Sequence, residues 1–82
     1  MRETILEERK LAAFAKECRE KAGKTRAEAA RELNVARPTI FYAEEEPERG
    51  LHKLRISIIE RYSEHEVMGP VYVVRKKGAK KR

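Results

Sequence analysis

The chain has no aspartate, no glutamine, one asparagine, one cysteine and five aromatic residues among 82. A single cysteine, Cys18, cannot close an internal disulfide. With only His52 and His65 beside it, no pair or quartet has the spacing of a zinc site, so no metal and no cofactor are expected. No apolar run approaches the roughly 18 residues that would cross a membrane. The opening MRETILEERK lacks the apolar stretch of a secretory signal, and a cytoplasmic protein is expected. A chain this short has room for one compact domain, whose apolar residues must be concentrated on a few helix faces to make a core. Such a domain would hardly support an open active-site cavity, and no nucleophile, base and acid are placed together by motif; the reading is a protein that is not an enzyme. The scarcity of Asp, Asn and Gln beside abundant Glu, Lys and Arg is a bias of proteins from hot environments and carries no functional information.

Charge is what the sequence has in quantity: 41% of residues are charged and the formal net charge is +6. A positive balance of this kind looks like a nucleic-acid footprint, but its distribution matters more than its sum. The final stretch RKKGAKKR holds Arg75, Lys76, Lys77, Lys80, Lys81 and Arg82 with no acid, whereas residues 1–74 carry 14 basic and 14 acidic residues. The body is therefore formally neutral and would have to bind nucleic acid through locally placed charges. Six cations in eight residues cannot build a core, so residues 76–82 are expected to form a flexible phosphate-binding arm.

Periodicity organises the rest. From Thr4 to Ala22, Leu11, Phe14, Ala15, Cys18 and Ala22 recur at spacings of three and four, predicting a first helix closed by Gly23, with Cys18 as an inert core thiol. Thr25 and Glu28 stand three apart, as in a capping box, at the head of a short second helix over about Arg26–Leu33. Asn34 can take the left-handed conformation of a tight turn. A third helix begins near Arg37, where Pro38 is tolerated in the first turn, and finishes before Pro47. Leu51, Leu54, Ile58, Ile59 and Tyr62 mark a fourth helix ending near Glu64, with Ile56 off the stripe and read as surface; His52 and His65 are expected on solvated faces. After Gly69 and Pro70, the run VYVVR reads as a strand.

Residues 25–44, TRAEAARELNVARPTIFYAE, carry the specific signal. A helix-turn-helix needs a small residue where its helices cross, a left-handed turn residue four positions later, and apolar residues locking the second helix on the first. Ala30 supplies the first, Asn34 the second, and Ala29, Leu33, Val35, Ile40 and Ala43 the third. With these residues the chain resembles, over about residues 8–64, the phage-repressor and Cro type of helix-turn-helix family, the xenobiotic-response-element type of transcriptional regulators. The resemblance implies a four-helix repressor-like domain; with the strand read from VYVVR in place of the family's fifth helix, the expected fold is mainly helical with a C-terminal strand, used for dimerisation. The resemblance further implies a structural salt bridge between Arg19 and Glu44, and sequence-specific binding of double-stranded DNA by a regulator, expected to be a repressor.

On the same resemblance, the start of the third helix enters the major groove. Arg37, Pro38, Thr39, Phe41 and Tyr42 then lie at or near base edges, and Arg37 is placed to give two hydrogen bonds to guanine. Thr25 and Arg26 lie where the second helix meets phosphates, joined by Lys76, Lys77, Lys80, Lys81 and Arg82 from the arm. Glu45 and Glu46 would be repelled by phosphates unless they point away. The expected organisation is a DNA-binding domain over residues 1–66, a strand over 67–75 and the basic tail over 76–82. Because a lone strand leaves backbone groups unpaired, Val71, Tyr72, Val73 and Val74 are expected to pair with the same strand of a second copy, giving a homodimer. Two other readings remain open. One is an antitoxin that also binds a small protein partner; the other is a nonspecific RNA-binding or architectural protein relying on the tail.

Overall fold

The computed structural model describes residues 3–68 and 72–77. The chain runs through a strand β1 (Glu3–Leu6), a short 3-10 turn (Glu8–Lys10) and four helices, α1 (Leu11–Lys21), α2 (Arg26–Leu33), α3 (Arg37–Glu45) and α4 (His52–Tyr62). Two further strands follow, β2 (His65–Met68) and β3 (Tyr72–Lys76). Among the described residues the fold is mainly helical, with four helices and three short strands, two of them following α4.

Local chemistry sets the end of α1 and both ends of α2. Past the end of α1, Gly23 takes φ +75°, Gly23 N–H donates to the Glu20 carbonyl at 3.0 Å and Lys24 N–H reaches back to the Arg19 carbonyl at 3.2 Å. This left-handed closure satisfies carbonyls that the helix leaves open. At α2, Glu28 N–H donates to Thr25 Oγ1 at 3.0 Å while Thr25 N–H donates to Glu28 Oε1 at 2.9 Å, so the capping box forms. The carboxylate of Glu28 is held below its ordinary range, first by that backbone donor. Asn34 ends α2 at φ 60°, ψ 48°, and Val35 N–H closes onto the Ala30 carbonyl at 3.0 Å.

The core is built from small residues where helices cross and larger ones between them. Ala15, Ala29 and Ala43 are fully buried with Leu11, Ile40, Ile58 and Ile59, and α1 packs chiefly on α4. Cys18 is buried and burial pushes its thiol pKa up, as suits an unreactive core thiol. Ile56, read as surface, is instead half-buried against this core. His65 is not on a solvated face: it is half-buried, its ring edge-on to Phe14 with centroids 5.6 Å apart.

The sheet departs from expectation. Its order is β1-β3-β2, antiparallel throughout, with Ile5 and Met68 both opposite Val73, and Thr4 and Val67 both opposite Val74. The stretch from Thr4 to Leu6 is therefore a strand and not the start of the first helix, and residues 65–66 belong to a strand and not to the end of the helical domain. Two four-residue segments are too short to show periodicity, so the pairing needs of β3 decided their state. β3 is central, both its edges are taken, and Val74 is fully buried within the chain. The expected pairing of Tyr72, Val73 and Val74 with a second copy loses its premise, and Val71 lies outside the described residues. Lys76 ends β3 and is not the beginning of a free arm.

Candidate nucleic-acid interface

Beneath the exposed side of α3 lies a buried ion pair. Arg19 donates through Nε to Glu44 Oε2 at 2.6 Å and through Nη2 to Oε1 at 2.9 Å, and its Nη1 donates to the Lys24 carbonyl at 2.7 Å. The pair thus ties α1 to α3 and to the turn before α2, and the Glu44 bonds raise the guanidinium pKa. Both residues are buried, which gives them a structural role. At the same end of α3, Arg55 of α4 is only 2% exposed and donates to the carbonyls of Ala43 at 2.8 Å and Glu46 at 2.9 Å.

So anchored, α3 presents its other face to solvent. Arg37 and Pro38 are exposed, Thr39 and Tyr42 half-buried, and Phe41 is 41% exposed, the exposed large apolar residue among the described ones. Phe41 and Tyr42 meet edge to face, with centroids 5.7 Å apart. Each ring carries an arginine: Arg26 lies 5.0 Å from the Phe41 centroid and Arg49 lies 4.1 Å from that of Tyr42. The five residues expected at base edges therefore share one helix, with a cation stacked on either aromatic.

Two open concavities flank the helix. One, of about 590 Å³, lies towards the start of α2 and is lined by Lys16, Arg19, Glu20, Thr25, Arg26, Ala27 and Arg37. The other, of about 580 Å³, is lined by Thr39, Tyr42, Arg49, Gly50 and Leu51. In the first, Arg26 donates through Nε to Glu44 Oε1 at 3.0 Å and through Nη2 to Glu45 Oε2 at 2.5 Å, and Lys16 Nζ lies 2.7 Å from the same Glu45 oxygen. Lys16 above all keeps the Glu45 carboxylate below its ordinary range. In the second, Arg49 Nε donates to Glu46 Oε1 at 2.7 Å. Glu45 and Glu46 are thus turned onto cations at either side of the helix.

Of the residues assigned to phosphates, Thr25 is exposed but spends its hydroxyl on the α2 cap, and Arg26 is held by two carboxylates. Lys76 pairs with Glu64 at 3.3 Å. Lys77 donates its backbone amide to the Glu64 carbonyl and its Nζ to that of Glu60, so both lysines are tied to the end of the sheet and to α4. Lys80, Lys81 and Arg82 lie outside the described residues. Arg37, by contrast, forms no ion pair among the described residues.

Sequence reasoning missed Lys16, Arg49 and Arg55. Lys16 was within reach, because it stands three residues before Arg19 and so shares its helix face. Arg49 sits in an irregular connection and Arg55 on an apolar stripe; neither announces its partner. No family model matches the chain, and searches of curated proteins and of solved structures found no match either. Among the described residues no helix is long and apolar enough to cross a membrane.

Proposed function

We propose that the chain binds double-stranded DNA in a sequence-specific manner and regulates transcription, with α3 lying in the major groove. The observation that carries this reading is the contrast at the start of α3. Arg19, Arg26 and Arg49 are each engaged by a carboxylate, while Arg37 stands exposed at the first helical position with no ion pair among the described residues. A guanidinium so placed is available for the two acceptors of guanine, the commonest specific contact in that groove. An α-helix is about 10–12 Å across with its side chains, a diameter the roughly 12 Å wide groove accepts. Phosphates of the two flanking strands then meet the two concavities, Thr25 and Arg26 on one side and Arg49 on the other.

The test is selection of bound sites from a random duplex library. A recurrent consensus containing a guanine whose replacement weakens binding supports the reading, and a palindromic consensus adds that two copies bind together. Recovery of random sequence, with no enrichment after repeated rounds, defeats it.

A further inference from the structure

Glu45 ends α3 with one carboxylate oxygen shared between two cations, Lys16 at 2.7 Å and Arg26 at 2.5 Å, both lining the concavity beside Arg37. The ion pair beneath it needs no help from Glu45: Glu44, with a fully buried side chain, already neutralises Arg19. Glu45 keeps a side chain 33% exposed, so its bridges face the open side. Around this concavity, Glu20, Glu44 and Glu45 engage Lys16, Arg19 and Arg26, and Arg37 is left over as the fourth cation.

We propose that Glu45 is a carboxylate lock on the phosphate-facing concavity. It occupies Lys16 and Arg26 until a phosphate displaces it, and so lowers affinity for DNA of every sequence while leaving the base contact of Arg37 untouched. The inference rests on the DNA-binding reading above. Phosphate contacts carry no sequence information, so a group competing for them penalises specific and random duplexes alike. A penalty equal for both leaves their affinity ratio unchanged, so the lock sets how tightly the chain holds DNA and not which sequence it prefers. Exposed ion pairs are weak, which makes the lock displaceable. Arg26 does not collapse on release, because its Nε stays on Glu44 at 3.0 Å and its guanidinium stays over Phe41. Losing Glu45 therefore bares an Nη group already aimed.

The experiment compares the unaltered protein, Glu45→Gln and Glu46→Gln. Inorganic pyrophosphate is titrated while the Arg26 side-chain Nε–Hε resonance is followed; a random duplex is then titrated over a salt series. Glu45→Gln should bind pyrophosphate roughly three- to tenfold more tightly, through a shift at Arg26. Its slope of log affinity for duplex against log salt should steepen by about 0.9 to 1.8, as one or two additional phosphates are neutralised. Glu46→Gln, whose carboxylate faces Arg49, should leave the Arg26 response as it is. Equal pyrophosphate affinity and equal Arg26 shifts in Glu45→Gln and the unaltered protein would overturn the lock. Tighter pyrophosphate binding without duplex binding by either protein would uphold the lock on anions and remove the DNA reading alone.

Discussion

Arg55, on α4, spends its guanidinium on the backbone of α3: it binds the carbonyl of Ala43 at 2.8 Å and that of Glu46 at 2.9 Å, at the end where a helix leaves its carbonyls unpaired. A cation there also complements the negative end of the helix dipole. The orientation of the exposed α3 face therefore depends on a residue that does not lie on it. Arg55→Leu should lower stability by about 2–4 kcal/mol, the cost of leaving one buried and one part-buried acceptor without donors. Urea denaturation followed by circular dichroism measures this. A loss below about 1 kcal/mol would show that these carbonyls find other donors.

Arg37→Ala should weaken binding to the selected site by about 1–3 kcal/mol and relax the preference at one base pair, leaving affinity for random duplex nearly unchanged. Anisotropy titrations with the selected and the random duplex separate the two effects. Equal losses on both would assign Arg37 to phosphates.

Val73→Pro removes an amide from the central strand, whose neighbours at that position are Ile5 and Met68. Proline is tolerated at sheet edges and not in a central strand. The expected result is loss of the sheet, with destabilisation of about 2 kcal/mol or more, and not a folded protein that merely fails to dimerise. A variant with an unchanged melting temperature would place Val73 at an edge.

Glu32 accepts from the Tyr62 hydroxyl at 2.6 Å, Lys24 Nζ at 3.0 Å and Arg61 Nε at 3.4 Å, and these donors hold its pKa at about 2, against an ordinary 4.5. A carboxylate lowered on folding contributes stability above its unfolded value, and this is lost as pH falls from about 4.5 through about 2. For Tyr62, burial and then Glu32 push the phenol up to about 12 from 10.0, so its contribution is present below pH 10 and lost as pH rises through 12. The stability difference between the unaltered protein and Glu32→Gln should shrink on acidification through the first window. The difference from Tyr62→Phe should shrink in alkali through the second. Differences that stay constant with pH would mean that the network does not couple to folding.

Much of the α2–turn–α3 unit was legible because its signals are local. Thr25 and Glu28 cap a helix wherever they stand three apart, Asn34 accepts a left-handed turn without help, and Pro38 suits a first turn; the observed bounds of α2 and α3 follow these residues. The Arg19–Glu44 pair came from family resemblance, and the structure forms it. Arg26 is the instructive departure. Its place at the head of α2 marks it for phosphate, but the two carboxylates that hold it lie 18 and 19 residues further on, beyond any local pattern.

By itself, then, the sequence determined α2, α3, α4, the end of α1 and the α2–α3 turn, but not the start of α1 at Leu11, since capping, left-handed turns and 3.6-residue periodicity are settled within a few neighbouring residues. Only the tertiary structure decided the sheet and the state of the cations. ETIL and HEVM are each too short to prefer one conformation, and became strands because β3 had backbone groups to satisfy on both sides. Whether an arginine is free or locked depends on which carboxylate the fold carries to it. That is why the same residue type serves as a buried anchor at Arg19, a held cation at Arg26 and, among the described residues, a group outside any ion pair at Arg37.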